Sequence, residues 1–510
     1  MRQQIVGPRV CPTGSGASTG ACPYIIGIVS ILLCIVLLCR GMAQAAGNDK
    51  LVVAVGSDAY TSSGPRANLG KYPLNANIFE SLTTFDEQFR LLPCLAVAWD
   101  YQGERTWRFI LRQGVRFHDG SPLDAAAVRA SLEAQQQAGT LLFAFDKITE
   151  LDAHSLAITT PEENLILPYI LSHPYMGISR PGDKPVGTGP FRFVRHVKDQ
   201  LLEVARNEDY WGDKAKSAGI VFRFLPDSAA RLLAFRAKEA DVLADLPWEA
   251  VPELKKSKDI ILRSSPRGAY VGLMLSVKGP LADRTARQAV SLALDRPAII
   301  KALWHGYGEA RQTLLAPAFL GKAAELLPDT PCDPAQARTL LKGRPLRLTL
   351  VSGFPNAEAH GLLPEIIQSQ LQAAGISIQL QKINDTGLYH DLLKAGKGDL
   401  WLERGNLNSA DLTFLPHLLF HPEGFYPKHL GSPAGGAAFC QRIHAARIAT
   451  NDAAFREQTA LALREIIAEE RLFIPIAELP FLLAAQPGVQ IPALHPTLLT
   501  TNWAAFAKQP

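Results

Sequence analysis

The chain has 510 residues, of which 47% are hydrophobic and 20% charged, and its formal net charge is +4. This is ordinary globular composition, long enough for two or three domains with substantial cores. The positive charge is dispersed, with no basic block, zinc-finger or RNA-binding signature, which argues against a nucleic-acid partner.

In chain order, the first feature is the uncharged apolar run "IIGIVSILLCIVLL" (Ile25–Leu38), preceded by Arg2 and Arg9 and followed by "AQA" at Ala43–Ala45. Basic, apolar and small residues in that order are expected of a secretory signal, residues 1–45, cleaved near Ala45. If uncleaved, the segment would act as an anchor, although the run is shorter than the about 20 residues a spanning helix needs. Of the seven cysteines, only Cys94, Cys332 and Cys440 follow the expected cut. Their wide spacing makes no zinc pattern and allows at most one disulfide, so buried free thiols are expected.

"KLVVAVGS" (Lys50–Ser57) predicts the first strand of the mature chain. "RTWRFILRQGVRFHDG" (Arg105–Gly120) alternates Trp107, Phe109 and Leu111 with polar residues, predicting a half-buried strand and then a turn. A helix follows, with Asp124 as its cap, and "ITELDAHSLAITT" (Ile148–Thr160) reads as strand, turn, strand. Further on, "DRTARQAVSLALDRPAIIKALW" (Asp283–Trp304) predicts a helix, "LRLTLVSG" (Leu346–Gly353) a strand, Glu358–Gly375 a helix, and "ISIQLQKI" (Ile376–Ile383) a strand. "GLYHDLLKAG" then predicts a short helix, and "GDLWLER" a strand that ends in a glycine turn. This alternation implies an α/β sheet with crossover helices, whose ligands sit beyond the carboxyl ends of the strands.

Catalytic signatures are missing. There is no HExxH, no GxSxG and no phosphate-binding glycine loop, and "VGTGPF" (Val186–Phe191) reads as a tight turn opening a strand. No carboxylates pair convincingly for acid/base work, so no enzyme activity and no cofactor are expected. His417 and His421 are spaced i, i+4, with His429 beyond, and could share a helical face as metal ligands. Pro416 and Pro422 bracket them, so solvated or capping histidines are the expectation and no metal site is assigned. Asp124, Asp283 and Asp411 each precede a predicted helix and are candidate caps.

Five segments together resemble the extracellular solute-binding proteins of family 5, receptors of ABC importers for peptides and nickel. They are "NIFESLTTFDEQFRLLPCLAVAWDY" (Asn77–Tyr101), "TWRFILRQGVRFHDGSPLDAAAVRASLE" (Thr106–Glu133), "VGTGPFRF" (Val186–Phe193), "RNEDYWGD" (Arg206–Asp213) and "RQAVSLALDRPAII" (Arg287–Ile300), in family order. The resemblance implies a two-lobed Venus-flytrap α/β fold with a smaller inserted subdomain. Mapped onto this chain, lobe one takes residues 47–75, 186–272 and 479–510, the insertion 76–185, and lobe two 273–478. It further implies a periplasmic monomer that closes on a small-molecule or peptide ligand and docks on a membrane permease.

The motif segments carry the fold, so specificity is expected from loops facing the cleft. Arg66, Asn68, Tyr72 and Asn75 follow the first strand, and Tyr270 lies near the expected hinge. In "DLWLERGNLNSADLTF" (Asp399–Phe414), Arg404, Asn406 and Asp411 are candidate ligand contacts. Peptide-binding members usually carry a glycine-tryptophan pair and then aspartates there, and this chain departs from that pattern. Arg404 adds a guanidinium, which recognises carboxylates in a bidentate fashion. A modified peptide, an opine-like molecule or a metal chelate is the expected ligand. The competing readings are a nickel-chelate receptor involving His417, His421 and Arg404, a sensory or chaperone protein without transport, and a secreted hydrolase.

Overall fold

The computed structural model describes residues 49–56, 75–139, 142–182, 185–310, 313–329, 331–353, 361–407, 409–431, 436–497 and 501–508. The expected signal segment lies outside them, as do Arg66, Asn68 and Tyr72. Asn75 opens a helical turn, Asn75–Ile78, with its side chain outside the description.

Strand β1 (Lys50–Val55) is almost uniformly apolar because both its faces are covered. Leu51, Val53 and Val55 enter one core, while Ala54 enters another on the opposite face. A short hairpin follows, β2 (Thr83–Phe85) with β3 (Leu91–Pro93). Next come β4 (Ala96–Gly103), β5 (Thr106–Leu111), β6 (Lys147–Asp152) and β7 (Ser155–Thr159), an antiparallel sheet in the order β4-β5-β7-β6. The expected alternation holds in β5, where Phe109 and Leu111 are buried and Arg108 is exposed. The helix Ala125–Gln137 covers the inner face, and Asp124 caps it by accepting from the Ala127 amide at 2.8 Å.

Nine further strands are β8 (Phe191–Val197), β9 (Leu201–Arg206), β10 (Gly219–Phe224), β11 (Val242–Leu243), β12 (Ile261–Leu275), β13 (Leu346–Ser352), β14 (Ile376–Lys382), β15 (Leu400–Asn406) and β16 (Phe473–Ala485). With β1 they form one ten-stranded sheet, β14-β13-β15-β12-β16-β11-β1-β10-β9-β8. Its centre is the antiparallel pair β12–β16, 15 and 13 residues long. The register of this pair slips between Ser264 and Arg267, between Arg267 and Ala269, and between Val271 and Gly272. Pro266, Pro475 and Pro480 lie in these stretches and bring no amide to the ladder, so pairing weakens midway along the two long strands.

Two expectations change. The helix expected over Asp283–Trp304 is two helices, Arg284–Leu292 and Arg296–Trp304. Asp295 ends the first run and caps the second by accepting from the Ala298 amide at 3.0 Å, and Pro297 disfavours continuation through the break. Likewise no turn occurs at Gly405, because β15 continues through it to Asn406.

Three of the five motif segments meet at one buried carboxylate. Glu80, 8% exposed, accepts from the Thr188 hydroxyl at 2.7 Å, the Tyr210 hydroxyl at 2.7 Å and the Trp211 indole at 2.9 Å. Arg112 stacks on Trp211, 4.2 Å from the ring centroid. Burial pushes the Glu80 carboxyl up, against the pull of these donors and Arg112. Gly187 belongs to the same junction, since a Cβ there would come within 2.0 Å of the Ile78 carbonyl oxygen. "FES", "VGTGPF" and "DYW" therefore act as one structural lock between the four-stranded sheet and the large one.

Candidate functional site

The pairings of the large sheet set two of its strand ends facing each other along its long central strands. On one side β1 pairs parallel with β11, and β11 pairs antiparallel with β16, so that Ala54, Leu243 and Ala484 lie level. On the other side β15 pairs antiparallel with β12, and Asn406, Ala269 and Leu479 lie level. Strands β1 and β15 consequently run toward each other, and Ala54, the last but one residue of β1, and Asn406, the last of β15, are level with Ala484 and Leu479, five residues apart along β16, roughly 16 Å at strand spacing. Facing strand ends of this kind are where open α/β sheets bind ligands.

Each end presents polar groups. At the β1 side, Asp245 lies two residues past β11 and accepts from the Gly56 amide at 2.7 Å through Oδ2. At the β15 side, Arg404 is half-buried. Burial lowers the affinity of its guanidinium for the proton, and the Asp245 carboxylate pulls the other way.

Alternation in β15 separates its side chains. Leu400 and Leu402 enter one core, whereas Trp401 faces another with Tyr270, Tyr389 and Tyr426. Glu403 shares the face of Trp401 and is 6% exposed. The Tyr426 hydroxyl donates to its Oε2 at 2.6 Å. Burial carries the Glu403 carboxyl up to about 8, and the Tyr426 hydrogen bond only partly opposes this. Their own burial, and after it the Glu403 carboxylate, hold the Tyr270 and Tyr426 phenols above their ordinary range. Gly405 has a packing reason, for a Cβ there would lie 2.5 Å from the Tyr270 hydroxyl. The Tyr270 ring thus crosses over the last residues of β15.

Among the expected contacts, Tyr270, Arg404 and Asn406 lie together at this strand end. Tyr270 is 4% exposed, edge-on to Phe473 with ring centroids 5.8 Å apart, and so is a core residue that reaches the site only through its hydroxyl. Asp411 is buried, and its Oδ1 accepts from the Thr413 amide at 2.8 Å and the Thr413 hydroxyl at 2.6 Å. Burial raises its carboxyl, while Arg447 and the Thr413 bonds oppose the rise. It braces the turn before the helix Phe414–Phe420, whose capping position is Thr413. Sequence reasoning passed over Glu403, Asp245, Tyr389 and Tyr426. The "LWLE" alternation was the available signal, because it puts Glu403 on the face of the buried Trp401.

His417 and His421 stack with ring centroids 4.2 Å apart and planes 22° from parallel. Burial, Arg447 and the neighbouring ring hold His417 down at about 4. Among the described residues no three His, Cys, Asp or Glu side chains converge as a metal site would require. Cys94, Cys332 and Cys440 are free thiols, but none is buried as expected: Cys332 is exposed and the other two are half-buried.

Comparison with known proteins places this arrangement. The family model described as bacterial extracellular solute-binding proteins, family 5 (Middle), matches residues 90–427. Glutathione-binding protein GsiB of Escherichia coli (strain K12) is 26% identical over 467 residues, covering 85% of this chain and 90% of that protein. Among solved structures, NikA from Brucella suis in complex with Fe(III)-EDTA superposes with a TM-score of 0.80 at 19% identity, covering 90% of this chain and 100% of that one. DppA from Helicobacter pylori in complex with the peptide STSA gives a TM-score of 0.76 at 22% identity, covering 90% and 98%. Fold and family agree: the chain has the two-lobed periplasmic-binding-protein fold and belongs to the bacterial extracellular solute-binding proteins of family 5.

Proposed function

We propose that this ABC-importer receptor captures a small carboxylate-bearing solute in the gap between the facing ends of β1 and β15 and delivers it to a membrane permease. The observation that carries the reading is Arg404, a half-buried guanidinium at one strand end that reaches electrostatically toward Asp245 at the other. With five N–H donors, a guanidinium can hold Asp245 and a ligand carboxylate together. A solute that contacts both ends favours the closed state by its differential affinity.

The lobes would be 47–75 with 186–272 and 479–510, and 273–478, with 76–185 inserted, and the irregular middle of β12–β16 would serve as hinge. We place the protein in the periplasm after cleavage of residues 1–45, working as a monomer and without catalytic activity. The names of the relatives support a carboxylate-bearing cargo, because glutathione, a peptide and EDTA all carry carboxylates. Were the cargo a metal chelate, the chelator would supply the donors, since among the described residues no metal-binding trio is present. The test is isothermal titration with glutathione, dipeptides and a nickel–histidine complex, in wild type and Arg404→Ala. Tight binding of at least one, weakened in the variant, is expected. A ligand that binds the variant with unchanged affinity would remove Arg404 from the site.

A further inference from the structure

Segment 76–185, the insertion of the reading above, has two sets of partners. One set fastens it to lobe one. Glu80 holds Thr188, Tyr210 and Trp211, and His495 places Nε2 3.1 Å from the Asp86 carbonyl oxygen while its ring packs against Phe85 and Phe89. The insertion therefore travels with lobe one. The other set reaches lobe two, and it is buried. Phe89 and Phe319, 0% and 1% exposed, pack with ring centroids 3.8 Å apart. Tyr169 packs on Phe455 at 5.0 Å. The Ala410 amide donates to the Ser172 hydroxyl at 3.1 Å, the Leu165 amide to the Arg447 carbonyl at 2.9 Å, and Arg456 to the Phe89 carbonyl at 3.4 Å. Phe89 and Ile166 thus share one apolar core with Phe319 and Phe455. Beside the hinge, contacts between segment 186–272 and lobe two are of another kind. His305 lies 3.1 Å from the Trp248 carbonyl oxygen and Arg267 pairs with Glu309, with both His305 and Arg267 exposed. Exposed pairs of that sort contribute little.

We propose that the insertion is a clasp: its buried face against lobe two favours the closed receptor by protein contacts alone, and by the same amount whatever the ligand. The inference rests on the two-lobe reading above, with β12–β16 as hinge. Opening about that hinge separates the Phe89 and Phe319 rings, because the insertion is locked to lobe one through Glu80. It returns their apolar surface to water and takes the Ser172 acceptor from the Ala410 amide. Phe89, Tyr169 and Ser172 belong to neither β1 nor β15, so they set the balance between open and closed states without reading the ligand. Apparent affinity scales with the closed fraction, and a clasp raises it equally for every solute.

The test is small-angle X-ray scattering of the ligand-free protein, together with titration of glutathione, a dipeptide and a nickel–histidine complex. Wild type is compared with Ser172→Ala, Tyr169→Ala and, as the hinge-side control, Glu309→Gln. If wild type is mainly closed, both clasp variants should enlarge the ligand-free radius of gyration. If it is mainly open, they should weaken every probe by one common factor, about fivefold for the single hydrogen bond lost in Ser172→Ala and more for Tyr169→Ala. Glu309→Gln should leave the shape unchanged and affinities within about twofold. Unchanged shape and affinity in both clasp variants would overturn the proposal even if their melting temperatures fall, since the contact would then persist through opening. A loss confined to one probe would overturn it too, by making Ser172 or Tyr169 a ligand contact. Where none of the probes binds, the carboxylate reading fails by itself, and an unchanged radius of gyration still overturns the clasp.

Discussion

Glu80 and Glu403 are both buried glutamates touched by tyrosine, yet they do different work. Glu80 joins segments 108 and 130 residues away through Thr188 and Tyr210, and its donors leave little for a ligand to add. Glu403 has one described donor, Tyr426, and lies near a strand end. The first pattern is that of a structural lock, in which the protein itself compensates the buried charge. The second is that of a buried acid compensated only in part, which its raised carboxyl reflects.

The largest effect should separate the two on stability. Glu80→Ala strands the Thr188, Tyr210 and Trp211 donors together, at a cost of about 3–5 kcal/mol. Urea denaturation should show this as a lower midpoint, whereas Glu403→Gln should cost less than 1 kcal/mol, given that an amide replaces a carboxyl of the same shape. Equal losses would erase the distinction between the two buried carboxyls.

Next in size is ligand affinity. Arg404→Ala should weaken binding of a carboxylate probe roughly ten- to hundredfold, the range for charge-assisted hydrogen bonds, and calorimetry reads it directly. Glu80→Gln should stay within about threefold in the same assay.

A smaller effect is the pH dependence of stability. The Glu403 carboxyl is raised in the folded state to about 8, above its ordinary value of about 4.3 in the unfolded chain. The folded state therefore holds this proton more tightly. Its contribution to stability is full below about pH 4, declines as pH rises, and is lost above about 8. Glu403→Gln should flatten that decline in a series of melts between pH 5 and 9. A parallel pH profile in wild type and variant would mean that Glu403 is already ionised and paired.

The smallest effect concerns Gly405. Gly405→Ala should push the Tyr270 ring aside, so that global stability falls by about 1 kcal/mol. An unchanged urea midpoint would mean that the ring yields to the added methyl at no cost.

Much of the fold was legible. The uniform apolarity of β1 and the alternation in β5 announced two-sided and one-sided burial, and Asp124 announced its helix. The break at Asp295 was missed because the apolar spacing runs on across it, while the Asp295 cap and Pro297 decide the boundary. The site was legible only in part. Arg404 stood out as a charge next to an apolar strand. Glu403 beside it read as the polar end of that strand, because burial depends on what Tyr270, Tyr389 and Tyr426 contribute from distant elements. The same limit hid Glu80, whose donors come from two other motif segments.

The most direct measurement is mass spectrometry of the small molecule released when the purified, undialysed protein is denatured. The account predicts a solute carrying a carboxylate, depleted in Arg404→Ala preparations and retained in Glu80→Gln. A released solute with no carboxylate, or one retained equally by both variants, would contradict it.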